Sequence, residues 1–141
     1  MRVLVIDDEP DVLLLCKVNF EFAGHEVLEA TDGEQGLELA RASRPDLIVL
    51  DVMLPRRDGL SILSELVHRP ETSGTPIVLL TAKVQEDDQV RGWQAGAHEY
   101  VTKPFSPLVL TQTIERVFQM SDVERRERRD QALSKLVAEP A

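Results

Sequence analysis

The sequence is poor in several residue types, and each shortage excludes a class of structure. Among its 141 residues are one cysteine and three histidines, so neither an intrachain disulfide nor a structural zinc site is expected. No apolar run approaches the roughly 20 residues that a membrane-spanning helix needs. The opening residues, MRVLVIDDEP, reach acidic residues too early for a secretory signal. These shortages predict a cytoplasmic protein without membrane contact, in which Cys16 fills part of the core.

Positive charge is scarce as well. The chain carries 25 Asp and Glu residues against 16 Lys and Arg, a net charge of −9, and the whole excess lies in residues 1–120. An acidic domain repels phosphate backbones, so direct nucleic-acid binding is not expected. With 43% hydrophobic residues, the chain has enough apolar material for the core of one globular domain.

Five short apolar runs alternate with amphipathic segments. The runs are VLVI, EVLEA, LIVL, IVLL and EYVT, and helix signals lie between them, such as Pro10 in a first turn and Gly24 after a last turn. Regular alternation of strands and helices predicts an α/β fold, a parallel sheet with helices on both faces. From residue 121 the chain is charged on every face, which predicts a helical extension of the fifth helix that ends in a tail. The alternative is the start of a linker.

Polar side chains follow four of the five predicted strands. In chain order they are Asp7 and Asp8, then Asp51, Thr81 and Lys103. Because ligands of parallel sheets bind at the carboxyl ends of the strands, these groups are expected to meet at one rim. Asp51 alone could instead cap the next helix, but capping does not account for the whole set.

The chemistry of this set favours a phosphoryl group. Crowded carboxylates repel one another, and either protonation or a hard divalent cation relieves the repulsion. Oxygen ligands without a histidine or thiolate suit Mg²⁺. A metal ion, the Lys103 ammonium and the Thr81 hydroxyl would then surround a phosphoryl group. Asp51 would be its nucleophile, forming an aspartyl phosphate.

Four segments together resemble the receiver domain of two-component response regulators, over about residues 2–120. They are VLVIDDEPD, PDLIVLDVMLPRRDGL, PIVLLTAK and AGAHEYVTKPF. The resemblance implies a doubly wound, flavodoxin-like (βα)5 fold with a five-stranded parallel sheet in the order 2-1-3-4-5, formed by residues 1–120. It implies that Asp51 accepts phosphate from a sensor histidine kinase or a phosphotransfer protein. The domain would be a regulatory phosphoacceptor and not an enzyme, with no chemistry beyond its own phosphorylation and dephosphorylation.

The same resemblance assigns the metal site. Asp8 and Asp51 would ligate Mg²⁺, or Mn²⁺ in its place, together with the backbone carbonyl of Met53. Asp7 would act mainly through water.

The resemblance also assigns the phosphate contacts and a switch. Lys103, Thr81 and the backbone amide of Ala82 would hold the phosphate, and the bond from Lys103 to Pro104 would be cis. Thr81 and Tyr100 match the switch pair of the family. Phosphorylation would thereby alter the face formed by helix four, strand five and helix five.

Other conspicuous residues are expected to be structural. Trp93 lies at helical spacing from apolar neighbours and is predicted to pack. His25, His68 and His98 lie in turns or at helix ends and are not expected to be catalytic. Arg56 and Arg57 follow Pro55 in the loop beside the acidic site, where they could attract a phosphodonor, although solvation is favoured.

The output is the least determined part. Receivers that dimerise through helix four, strand five and helix five use basic residues where this chain has Gln89, Thr113 and Glu115, and Glu99 keeps the acid without those partners. A homodimer of the common kind is therefore disfavoured, though a homodimer remains an option. The face would bind a downstream protein partner, or serve an output domain that this sequence lacks.

Two alternatives compete with the receiver. A haloacid-dehalogenase-like phosphatase also uses a nucleophilic Asp with Mg²⁺, but it needs a second acid two residues later, where Met53 stands. A receiver-like scaffold that is never phosphorylated is disfavoured because every expected site residue is present.

Overall fold

The computed structural model describes residues 1–82 and 86–138, with side chains for all of these except residues 86–88 and 137–138. Within these residues, five strands alternate with five helices, and a sixth helix follows. The strands are β1 (Arg2–Ile6), β2 (Glu26–Ala30), β3 (Leu47–Asp51), β4 (Ile77–Thr81) and β5 (Glu99–Thr102). The helices are α1 (Pro10–Phe22), α2 (Gly33–Ser43), α3 (Gly59–His68), α4 (Glu86–Gln94), α5 (Pro107–Gln119) and α6 (Asp122–Ala138). The segment VQEDDQVRGWQAGA predicts that the fourth helix starts at Val84, and Val84 lies outside the described residues.

The five strands form one parallel sheet in the order β2-β1-β3-β4-β5. This confirms the predicted (βα)5 fold and its strand order. Parallel strands need crossover connections, and the helices between consecutive strands supply them. All residues of β3 and β4 are buried, as expected for central strands covered on both faces.

The side chains of each strand alternate between two cores. Leu4 and Ile6 of β1 face a core built with α2 and α3, while Val3 and Val5 face a core built with α1 and α5. This alternation follows from the two-residue period of a strand. Cys16 lies in the second core and is 1% exposed, in agreement with its predicted role; burial raises the pKa of its thiol to about 12.

The chain beyond residue 120 differs from the expected extension of the fifth helix. Helix α5 ends at Gln119, Met120 is extended, and α6 starts two residues later as a separate helix. Arg125 joins the two helices, because its guanidinium donates to the carbonyls of Val117 and Phe118 at the end of α5. The last carbonyls of a helix carry partial negative charge, so a cation there is favourable; the Val117 carbonyl also accepts from the N–H of Met120 at 3.2 Å.

Helix α6 lies against α4 and β5. The Arg128 guanidinium lies 5.4 Å from the ring centroid of Trp93 on α4, and 3.4 Å from Glu99 on β5. Arg116 of α5 also pairs with Glu99, at 3.1 Å. Glu99 is therefore paired with two arginines of its own chain, which the sequence pattern did not indicate. Trp93 is buried, as predicted for a packing residue. Within the described residues, no helix is both long and apolar enough to span a membrane.

Candidate functional site

Three carboxylates meet at the carboxyl ends of neighbouring strands. Asp7 and Asp8 directly follow β1, and Asp51 is the last residue of β3, whose Leu50 pairs with Ile6. Each of the three contributes a carboxylate oxygen, and these oxygens all lie within 4.8 Å of one another. Asp7 and Asp51 are buried, whereas Asp8 is exposed. The cluster is thus open to solvent on the Asp8 side.

Asp51 is held in place and does not cap a helix. Its Oδ1 accepts from the backbone N–H of Met53 at 3.0 Å, and its Oδ2 lies 3.3 Å from Lys103 Nζ. The cap of the following helix is Asp58, which accepts from the N–H of Ser61. Capping therefore does not explain the carboxylate at the end of β3.

Lys103 brings positive charge to the cluster from β5. Its ammonium lies 2.8 Å from Asp7 Oδ2, 3.0 Å from Glu9 Oε1 and 3.3 Å from Asp51. The peptide bond between Lys103 and Pro104 is cis. Glu9 is a partner that the sequence analysis did not single out. Its place directly after Asp7 and Asp8 at the strand end was the available signal.

Burial and charge act on the protonation of these groups in opposite directions. The pKa of Asp51 is raised by burial, an effect opposed by the Met53 N–H and by Lys103. The pKa of Asp7 is raised for the same first reason and also by the Asp51 charge. Burial alone would lower the pKa of Lys103, but its hydrogen bonds to Asp7 and Glu9 and the Asp51 charge outweigh burial and raise it. The lysine therefore stays charged. Its charge does not fully offset the effect of burial on the pKa values of Asp7 and Asp51.

The acidic cluster fits a hard divalent cation. Asp7 Oδ2 is buried, and apart from the Lys103 ammonium, 2.8 Å away, it has no hydrogen-bond partner among the described residues. Oxygen-only ligands with an open side suit Mg²⁺, which keeps several of its waters. The donor set is therefore one that Mg²⁺ could occupy.

The turn after β3 requires a glycine. A Cβ at Gly59 would lie 2.3 Å from the carbonyl oxygen of Asp51 and 2.7 Å from the Cα of Val52. The N–H of Gly59 donates to the Val52 carbonyl at 2.8 Å. The first turn of α3 thus packs directly on the backbone that positions Asp51.

Thr81 and Ala82 follow on the next strand. The register pairs Asp51 with Leu80, so Thr81 comes one residue further along the neighbouring strand. Thr81 is buried and Ala82 is exposed. Tyr100 lies in β5, one strand further from Asp51, where it pairs with Leu79 of β4. Its side chain is half-buried.

The histidines lie away from this rim. His25 directly precedes β2 and His98 directly precedes β5, so both lie at the amino ends of the strands, opposite the carboxylates. His25 Nε2 lies 2.9 Å from Glu115, and His98 Nδ1 accepts from the N–H of Ile77. His68 is the last residue of α3 and contacts a carbonyl of its own helix. These are structural contacts.

Arg57 is not a solvated side chain, so that expectation is wrong. Its guanidinium donates to Ser61 and Glu34 at 2.9 Å each, and it also pairs with Glu65. Arg57 thus connects the loop after Asp51 to α2 and α3. Its neighbour Arg56 is exposed.

Comparison with known proteins agrees with this geometry. The sequence model of the response regulator receiver domain matches residues 3–115. The chain belongs to the response regulator receiver family. It is 42% identical over 122 residues to PhoP of Bacillus subtilis, an alkaline phosphatase synthesis transcriptional regulatory protein, covering 86% of this chain and 50% of PhoP. It is 37% identical to PilH of Pseudomonas aeruginosa, covering 82% of this chain and 96% of PilH.

Solved receiver structures share the fold. The chemotaxis protein CheY4 of Vibrio cholerae superposes with a TM-score of 0.79 at 31% identity, over 82% of this chain and 97% of CheY4. This receiver spans about half the length of PhoP and nearly all of PilH.

Proposed function

We propose that this receiver takes a phosphoryl group on Asp51 from a sensor histidine kinase or a phosphotransfer protein, in an Mg²⁺-dependent reaction. The observation that supports this most directly is the placement of Asp51, which is buried within the carboxylate cluster and lies 3.3 Å from Lys103. One carboxylate oxygen of Asp51 attacks the phosphorus of the donor, a new O–P bond forms, and the bond from phosphorus to the donor breaks. The reaction is phosphoryl transfer to the protein, with no further substrate.

The residues around Asp51 have complementary tasks in this proposal. Asp8 and Asp51, with the carbonyl of Met53, would hold Mg²⁺, while Asp7 acts through water. The ion supplies positive charge to the phosphoryl oxygens as negative charge moves onto them. Lys103 is charged and within reach of Asp51, so it neutralises the same oxygens from the other side.

A hollow beside Lys103 supports a protein donor. A hollow of about 420 Å³ opens beside Lys103, lined mainly by apolar groups that include Leu15, Ala82, Pro104 and Phe105. Such a surface next to a phosphoacceptor could accommodate the protein part of a phosphodonor.

The response to phosphorylation is proposed to run through Thr81, the Ala82 amide and Tyr100. The added phosphate would accept hydrogen bonds from the Thr81 hydroxyl and the Ala82 N–H, and Tyr100 would move in response. The affected surface is formed by α4, β5 and α5. Its partner is a downstream protein or an output domain. The chain's relatives include transcriptional regulators about twice its matched length.

Labelling with acetyl phosphate tests this proposal. In the presence of Mg²⁺, the mass of the intact protein should increase by one phosphate, and Asp51→Asn should abolish the increase. Omitting Mg²⁺ should also abolish it. A phosphate retained at full stoichiometry in Asp51→Asn would place the acceptor elsewhere. Continuous turnover of a phosphate ester would support the phosphatase, and no labelling at all would support the scaffold.

A further inference from the structure

The surface formed by α4, β5 and α5, here called the output face, is covered in part by the chain's own helix α6. Arg128, Ala132 and Leu136 of α6 recur every four residues, so they lie on one side of that helix. They line a hollow whose other wall includes Trp93, Glu99 and Tyr100 of the output face. Arg128 contacts both Trp93, over the ring, and Glu99, at 3.4 Å. Arg128 thus contacts the face directly, and a small and an apolar residue, Ala132 and Leu136, border the hollow four and eight residues further along the helix.

The residue that the switch would move lies beneath this helix. The Tyr100 ring borders the hollow and packs beside α4, where a Cβ at Gly92 would lie 3.5 Å from it. A change in the position of that ring alters the surface that faces Arg128 and Leu136. The affinity of α6 for the output face then differs between the two states, which is the condition for coupling.

Release of α6 would leave no buried charge without a partner. Glu99 is 6% exposed and needs a cation nearby. Two arginines serve it, Arg128 from α6 and Arg116 from α5, and Arg116 stays when α6 leaves. The contact can therefore open without isolating the carboxylate.

Helix α6 is expected to be only marginally stable when it is not docked. Its 17 residues include ERRERRD, which is charged throughout, and an isolated helix of this length is marginal in water. Once released, α6 should lose much of its helicity. Docking and helix formation are therefore coupled, and either one reports the other.

We propose that α6 is an intramolecular ligand of the output face, docked when Asp51 is unphosphorylated and released when it is phosphorylated. Docked α6 blocks the face, and its release opens the face to a partner helix with the same arginine, small and apolar pattern. This inference rests on the proposed function, because it requires phosphate on Asp51.

The single tryptophan makes the test direct. Trp93 is 3% exposed in the docked state and lies under Arg128. The full chain is phosphorylated with acetyl phosphate and Mg²⁺, and the intact mass gives the labelled fraction. Phosphorylation should raise the acrylamide quenching constant of Trp93 about twofold or more and shift its emission to longer wavelength, because α6 opens locally. Amide hydrogens of residues 122–136 should exchange faster.

Two variants of α6 separate the specific contact from a general effect of charge. Arg128→Gln removes the contacts with Trp93 and Glu99, so the unphosphorylated variant should already show the high quenching constant. Arg126→Gln removes the same charge from an exposed position of the same helix and should behave as the wild type. Equal behaviour of the two variants would overturn the proposal.

The outcomes distinguish this inference from the one it rests on. Full phosphorylation with unchanged Trp93 quenching and unchanged exchange in α6 overturns the inference and leaves the phosphoacceptor function standing. Failure to gain a phosphate on Asp51 overturns the proposed function, and this inference with it.

Discussion

Gly59 is a position where one added methyl group would directly disturb the backbone of Asp51. The nearest atoms to a Cβ there are backbone atoms of Asp51 and Val52, at 2.3 and 2.7 Å. Because backbone cannot turn aside as the end of a side chain can, the end of β3 must shift. We expect Gly59→Ala to lower the free energy of unfolding by about 1–3 kcal/mol. It should also slow the labelling of Asp51 by acetyl phosphate, measured as the intact mass over time.

Gly74→Ala is the matched control, because a Cβ at Gly74 would meet nothing within 4 Å. This variant should unfold at the same urea concentration as the wild type and take up phosphate at the same rate. Equal losses in the two variants would contradict the steric explanation.

At the scale of the helices, the Arg57 side chain helps to join α2 and α3 to the loop after Asp51. Arg57 is 29% exposed and contacts Glu34 of α2 and both Ser61 and Glu65 of α3. Partly exposed ion pairs contribute little individually, so we expect Arg57→Ala to lower the free energy of unfolding by only about 1 kcal/mol. Urea denaturation would measure this change. Arg56→Ala, at the exposed neighbour, should leave the stability unchanged, and a loss as large as that of Arg57→Ala would argue against the proposed connection.

The junction of β5 with α6 should make the stability depend on pH. Burial, together with the charges of Arg125 and Arg129 on α6, lowers the pKa of His98 from 6.5 to about 4. The unfolded chain therefore takes up a proton at a higher pH than the folded protein does. We expect the free energy of unfolding to decrease as the pH falls from about 6.5 to about 4. NMR titration of the imidazole should give a midpoint near 4, and a midpoint near 6.5 would show that the ring is not buried in solution.

Local sequence patterns were sufficient to predict the strands and helices and the residues that meet at the carboxyl ends of the strands. Apolar runs of strand length, helix signals between them and the meeting of strand ends at one edge are properties of short segments or of topology. The proximity of Asp7, Asp51 and Lys103 could therefore be predicted from the sequence. The requirement for Gly59 could not, because it depends on how closely α3 approaches the end of β3.

Long-range pairing of charged side chains could not be predicted from these patterns. Arg57 and Glu99 find their partners in segments distant in sequence, and a charged residue looks solvated until the fold supplies its partner. The packing of helix α6 against the domain could not be predicted for the same reason. Its charged surface suggested a solvated tail, whereas Arg128 packs its guanidinium on Trp93. Long charged side chains can cover apolar surface in this way.

For the molecule as a whole, the folded state concentrates negative charge at one place. The chain has a net charge of −9, and folding brings three of its carboxylates within 4.8 Å of one another. Lys103 offsets part of this charge, but the pKa of Asp51 is still raised, first by burial and also by the Asp8 charge. The unfolded chain has no such cluster. A cation that binds the cluster therefore favours the folded state.

Mg²⁺ should raise the midpoint of thermal unfolding of the wild type, because an ion that binds only the folded protein stabilises it by mass action. NaCl at matched ionic strength should have a smaller effect, since it only screens charge. Asp8→Asn should unfold at a higher temperature than the wild type without Mg²⁺, because one repelling carboxylate is gone. It should also lose most of the response to Mg²⁺, because a ligand is gone. Glu71→Gln removes the same charge from an exposed position away from the rim and should keep the full response. If Asp8→Asn responds to Mg²⁺ as strongly as Glu71→Gln does, the stabilising ion does not bind at the carboxylate cluster.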